Sequence, residues 1–127
     1  MVTYQIVRTN LQPQFDTDCF ELLNSSSSHW IVTWGFRTFL EQQKLYDIYL
    51  KGGPLAAPPG KSAHNYGLAI DIVLATPQGW SYNKNDPAWL WLFARVLAHP
   101  RLHSGKGFGD FDHIERYKWY NFLPKAA

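Results

Sequence analysis

The sequence predicts an α+β domain, a small and mainly antiparallel sheet flanked by helices. Three observations predict it. Short β-branched and aromatic runs interleave with helical stretches, and the connections between them are short and rich in glycine, proline and serine. The chain of 127 residues is long enough for one core, so residues 1–127 read as a single domain. Hydrophobic residues make up 46% and charged residues 17%, which places the chain among globular rather than disordered proteins.

The elements follow in order. Residues 4–8 read as a short strand. Residues 13–24, PQFDTDCFELLN, set Phe15, Cys19, Leu22 and Leu23 near helical spacing, and the serines at 25–28 end that helix. Residues 30–36, WIVTWGF, are β-branched and aromatic, hence a strand. Thr38 and Glu41 fit a capping box, with a helix running to about Leu50 and stopping at Gly52-Gly53. A Gly/Pro-rich loop covers 52–63, and a strand covers 67–74. Asp86-Pro87 is an N-cap followed by proline at the first helical position, so a helix runs from 87 to about 99 and ends before Pro100. After a glycine-rich turn, Gly105 to Gly109, residues 111–117 form the last strand.

Composition narrows the function classes. The net charge is +2 and the pI is near 8.7. No lysine or arginine block appears, which argues against nucleic acid. Cys19 is a lone cysteine, so there is no internal disulfide and no cysteine pair for zinc. Six tryptophans point to a dense aromatic core or to a cleft that contacts carbohydrate or peptide. The start, MVTYQIVRTN, lacks the apolar core of a signal peptide, and no run approaches membrane-spanning length. The expectation is a protein made in the cytoplasm, without a membrane partner, that needs a separate release step to act outside.

The stretch KSAHNYGLAID, residues 61–71, carries the chemistry. As a strand, 67–74 turns Leu68, Ile70, Ile72 and Leu74 to one side and Gly67, Ala69, Asp71 and Val73 to the other. The second face is small, small, then acidic. A carboxylate beside an apolar core is costly alone, and a cation relieves it. His64 lies just upstream, and histidine and aspartate are ordinary zinc ligands. A second pair lies in GFGDFDHIERY. There Phe111, His113 and Glu115 share a face, Asp112 points to the opposite one, and Asp110 can curl back from the turn toward the metal side. Spacing alone leaves two readings open. One is a three-ligand metal site with an open position. The other is a His64–Asp71 pair satisfied by hydrogen bonds, with His113 on the surface.

These residues resemble the LAS metallopeptidases, named for lysostaphin, D-Ala-D-Ala peptidases and Sonic hedgehog. The likeness is to the branch with D-alanyl-D-alanine carboxypeptidases and phage L-alanyl-D-glutamate endopeptidases. The family pattern Ser-x-His-x-x-Gly-x-Ala-x-Asp is complete from Ser62 to Asp71. The pattern Asp/Glu-x-x-His, often followed by x-Glu, reads Asp110, His113, Glu115. A third feature, Arg-Ser/Thr with a downstream glutamine and Leu-Tyr, reads Arg37-Thr38, Gln42 and Leu45-Tyr46. The resemblance runs from about residue 30 to 117. Relatives often carry a longer Trp- and Gly-rich segment before the second motif, abbreviated here to Gly105–Gly109.

The resemblance implies a hedgehog/DD-peptidase-like fold and one Zn²⁺ per chain on His64, Asp71 and His113. It implies Asp110 as catalytic base and Arg37 near the scissile carbonyl. Glu115 would orient a ligand histidine. Ser62 would bond near the substrate or only to backbone, and Gln42 would line or brace the site. Tyr66 faces the cleft or packs in the core. His29, His99 and His103 have no partner at ligand spacing. The implied function is hydrolysis of peptidoglycan stem peptides by a monomer at the cell wall, after holin-type release as in endolysins. The bond cut is L-Ala–D-Glu or the terminal D-Ala–D-Ala. The alternative is a zinc-binding wall-binding or structural module without turnover, which would not need Asp110 and Arg37.

Overall fold

The computed structural model describes residues 2–3 and 10–123. The strand expected at 4–8 lies outside the described residues. The described elements are β1 (Val2–Thr3), α1 (Pro13–Asn24), β2 (His29–Trp34), α2 (Phe39–Leu50), β3 (Ala69–Thr76), β4 (Gly79–Ser81), α3 (Pro87–Ala98), β5 (Leu102–Ser104) and β6 (His113–Arg116). Short 3₁₀ turns occupy Ala63–Tyr66, Gly105–Phe108 and Trp119–Phe122. The sheet order is β1-β2-β3-β6-β5, with β4 paired to β3. All pairings are antiparallel except β1 with β2. The α+β architecture is the one the sequence predicts.

Helix starts follow the expected chemistry. The Thr38 hydroxyl accepts from Glu41 N at 3.1 Å, and Glu41 Oε1 accepts from Thr38 N at 2.9 Å. Asp86 Oδ1 accepts from Ala88 N at 2.9 Å ahead of Pro87. β3 is the central strand and is buried on both faces from Ala69 to Leu74, apart from half-buried Asp71. Ile70 and Ile72 join a core with Phe15, Leu23, Trp30 and Trp89, in which Trp30 and Trp89 meet edge to face at 4.9 Å. Asp18, buried on α1, receives Arg101 Nε at 2.8 Å and Nη2 at 2.9 Å, which ties α1 to the segment before β5.

Three boundaries differ from expectation, and two strands are additional. β2 ends at Trp34, leaving Arg37 in the coil before α2. β3 begins at Ala69, because Gly67 is the left-handed cap of the turn that carries His64. Its φ is +68°, and a side chain there would collide with the carbonyl of Asn10. β6 begins at His113 rather than 111, since Asp112 sits in a turn. β4 and β5, three residues each, were not expected at all.

Candidate active site

The site forms where β3 and β6 pair. Their register sets Asp71 directly opposite His113. The 3₁₀ turn Ala63–Tyr66 folds His64 over the same end of β3, with Ser62 accepting from His64 N at 3.3 Å. His64 Nε2 and His113 Nδ1 each lie 3.3 Å from the same oxygen, Asp71 Oδ1. Ligand atoms of all three residues lie within 4.8 Å of one another.

The outer nitrogens decide what the inner ones can do. His64 Nδ1 faces the carbonyl oxygen of Gly35 at 2.8 Å, and a carbonyl only accepts, so that nitrogen holds the proton. His113 Nε2 donates to Glu115 Oε1 at 2.8 Å for the same reason. In neutral rings, His64 Nε2 and His113 Nδ1 then both aim lone pairs at a carboxylate oxygen. That arrangement is repulsive unless a cation or protons sit between them. Two imidazole nitrogens and one carboxylate are a fitting donor set for zinc, and the acceptors behind the rings fix the required tautomers.

The charges agree with this picture. Burial pushes the Asp71 carboxyl up, but its electrostatic interaction with His64 and the hydrogen bonds of His113 and His64 outweigh it and hold it well below the usual carboxylate range. Burial pushes His113 down, while its hydrogen bonds to Asp71 and Glu115 outweigh that and raise it to about 10.

Arg37 is buried beside this group. Its Nη2 lies 3.7 Å from Asp71 Oδ2, its Nη1 donates to Gln42 Oε1 at 3.1 Å, and the guanidinium sits 4.7 Å from the centre of the Trp34 ring. Gln42 is buried too, so it braces Arg37 from α2 as well as lining the cleft. Asp110 follows the left-handed Gly109 and places Oδ2 3.8 Å from His113 Nδ1, with its side chain 46% exposed.

Asp112 requires a correction. Strand alternation turned it away from His113, yet its carboxylate gathers with those of Asp71 and Asp110, within 4.8 Å. Alternation does not apply, because Asp112 precedes β6. Burial, a hydrogen bond with Asp110 and the charges of Asp71 and Asp110 push its carboxyl up to about 7. Asp110 lines the cleft with Arg37, His64, Asp71 and His113, and Asp112 is not among the lining residues.

The cleft itself has a volume of about 900 Å³. Beyond His64, Asp71 and His113 it is walled by Tyr46 and Tyr49 of α2, by the segment from Pro54 to Pro58, and by Phe108 and Trp119. Tyr66 stacks on Trp119 at 5.9 Å and donates to Gly60 O at 2.9 Å, so it supports this wall from behind. Asn65, which the sequence did not single out, is buried between Arg37 and Gly60. His103 lies away from the cleft, against Phe108 and Tyr117.

Comparison with known proteins gives a consistent likeness. The family described as VanY, D-alanyl-D-alanine carboxypeptidase, matches residues 8–96, a span that holds Arg37, Gln42, His64 and Asp71. The peptidoglycan L-alanyl-D-glutamate endopeptidase CwlK of Bacillus subtilis (strain 168) is 37% identical over 98 residues, covering 67% of this chain and 59% of that protein. A D-alanyl-D-alanine carboxypeptidase of Enterococcus faecium is 33% identical over 79 residues, covering 58% of this chain and 24% of that protein. The chain thus spans less than two thirds of the length of either relative. Among solved structures, the Serratia marcescens L-Ala D-Glu endopeptidase ChiX superposes with a TM-score of 0.62 at 15% identity, covering 91% of this chain and 86% of that one. The vancomycin-resistance D,D-pentapeptidase VanY, solved as an E175A mutant with Zn(II), superposes with a TM-score of 0.56 at 18% identity, covering 85% and 71%. At those identities the structural likeness establishes the shared fold.

Proposed function

Because the chain belongs to the VanY family of D-alanyl-D-alanine carboxypeptidases, we propose that it is a zinc peptidase that hydrolyses peptidoglycan stem peptides, cutting the L-Ala–D-Glu bond. One observation carries the metal reading: two histidines with clamped outer nitrogens turn their inner nitrogens onto one carboxylate oxygen. The endopeptidase choice rests on the relative with the higher identity and on a cleft whose walls run well beyond the ligands.

His64, Asp71 and His113 would hold one Zn²⁺, which supplies a Lewis acid and lowers the pKa of water toward 7. The chain's own residues supply the rest. Asp110, half exposed at the cleft and close to His113 Nδ1, takes a proton from the attacking water and returns it to the leaving amine. Asp112, whose carboxylate lies within 4.8 Å of those of Asp110 and Asp71, is not among the residues that line the cleft. Arg37 is pinned by Gln42 on one side, so its remaining donors are aimed and charged where negative charge grows on the carbonyl oxygen. Glu115 and Gly35 keep the histidine rings in one tautomer and orientation. The site of action in this reading is the cell wall. Among the described residues no helix is long and apolar enough to cross a membrane.

Mass spectrometry of muropeptides released from purified sacculi tests this. Wild-type protein should release fragments beginning at D-Glu. Asp110→Asn should keep its zinc and lose about 10²–10⁴ in rate. Loss of only a terminal D-Ala would replace the endopeptidase by the carboxypeptidase. Full activity of Asp110→Asn, with Asp112→Asn inactive, would move the base to Asp112.

A further inference from the structure

We propose that Gln42 and Asn65 are positioning residues that couple the cleft wall at 54–60 to Arg37, so that an extended peptide seated on that wall raises turnover and not only affinity. The proposal rests on the peptidase reading above and deepens it: the preferred substrate is an extended stem peptide rather than a dipeptide.

Both residues are buried amides, with Gln42 1% and Asn65 5% exposed. Each uses one end on Arg37 and the other on the wall. Gln42 Oε1 accepts from Arg37 Nη1 at 3.1 Å, while its Nε2 donates to Ala57 O at 2.8 Å. Asn65 Nδ2 donates to Arg37 O at 3.0 Å, while its Oδ1 accepts from Gly60 N at 3.0 Å. A buried amide cannot drop either partner without stranding a polar group away from water. The wall therefore cannot shift while Arg37 stays where it is.

The Arg37 backbone N donates to His64 O at 3.0 Å and the guanidinium packs on Trp34 at 4.7 Å, but its polar contact toward the metal end is loose. Its contact with Asp71 is 3.7 Å, beyond hydrogen-bond length, and its Nε is buried with no partner. The hydrogen bond that holds the guanidinium thus runs through Gln42 to the wall, while Asn65 holds the Arg37 backbone to it. The wall is built to be touched. Pro54, Leu55, Ala56 and Pro58 line the cleft, and Leu55 is 66% exposed. Such a surface takes the aliphatic side of an extended peptide. Contact there, remote from the scissile bond, can be converted into alignment of Arg37, and truncated substrates then lose kcat.

The experiment compares a stem tetrapeptide with its truncation to the two residues that flank the scissile bond. Gln42→Glu keeps an acceptor for Arg37 and breaks the link to Ala57 O. Asn65→Asp keeps the acceptor for Gly60 N and breaks the link to Arg37 O. Both are near-isosteric, and melting curves check that each folds. In the wild type, the tetrapeptide should exceed the truncated peptide in kcat by roughly ten- to a hundredfold. In both variants that ratio should fall toward one, with the tetrapeptide's KM little changed.

A second readout needs no turnover. The Arg37 Nε–Hε NMR resonance, assigned by its loss in Arg37→Lys, should move when tetrapeptide is added to the wild type and stay fixed in Gln42→Glu. An unchanged length ratio in the variants, or an Arg37 signal that ignores the tetrapeptide in the wild type, overturns the coupling. If the wild type cleaves no stem peptide while its Arg37 signal responds and Gln42→Glu abolishes the response, the coupling stands and the peptidase reading falls.

Discussion

Glu115→Ala removes the acceptor 2.8 Å from His113 Nε2, and two effects then oppose each other. With no outer partner, the ring can rotate and exchange tautomer, and loss of such a partner weakens zinc binding about 10- to 100-fold. Glu115 also helps the metal-free protein keep a proton on His113. That group is raised to about 10, and zinc must displace its proton. At pH 7.5 this displacement reduces the apparent zinc affinity by roughly 300-fold in the wild type. Asp71 contributes more to the raised value than Glu115 does, so the substitution relieves only the smaller part of the competition. Loss of orientation wins. The expected net loss is about 10-fold at pH 7.5, growing toward about 100-fold by pH 9, where fewer protons compete. Glu115→Gln should fall between, because its amide oxygen still accepts from Nε2. The assay is competition of metal-free protein against a chelator of known zinc affinity at both pH values. If Glu115→Ala binds zinc as tightly as the wild type at both, the clamped-tautomer argument is wrong.

Other expectations follow from the same geometry. In metal-free protein, His113 contributes stability fully present below its unfolded value near 6.5 and lost as pH rises through about 10. The Tm of metal-free protein should therefore fall between pH 7 and pH 10, and a flat profile in thermal melts would contradict this. Gly67→Ala forces a side chain into the left-handed region, at about 1–2 kcal/mol, and into the Asn10 carbonyl, so melts should show a clear loss of stability. Gly105→Ala would press against the carbonyl of Asp110. The added carbon would also meet the Cβ of His113 at 2.9 Å, so the variant should lose both zinc affinity and turnover on sacculi, and unchanged turnover would mean that the backbone at Asp110 is not held there.

The candidate ligand group was legible because its chemistry is local. A histidine seven residues ahead of an aspartate in an apolar strand already poses the question that the pairing of β3 with β6 answers. Helix starts at Thr38 and Asp86 were legible for the same reason: their capping partners lie two or three residues away. Asp112 was misplaced because a period-two rule was extended one residue beyond the strand it governs. β4 and β5 carry three residues each, too few for any pattern to emerge. Asn65 stayed invisible because its partners are the backbone atoms of Arg37 and Gly60, and backbone atoms leave no signature in a sequence.

The most direct test of the central claim is an anomalous difference map, recorded at the zinc edge from crystals grown with one equivalent of zinc. The account predicts a single peak about 2.0–2.2 Å from His64 Nε2, an Asp71 carboxylate oxygen and His113 Nδ1. A peak shared by Asp71, Asp110 and Asp112 instead, or no peak beside the two histidines, would contradict it.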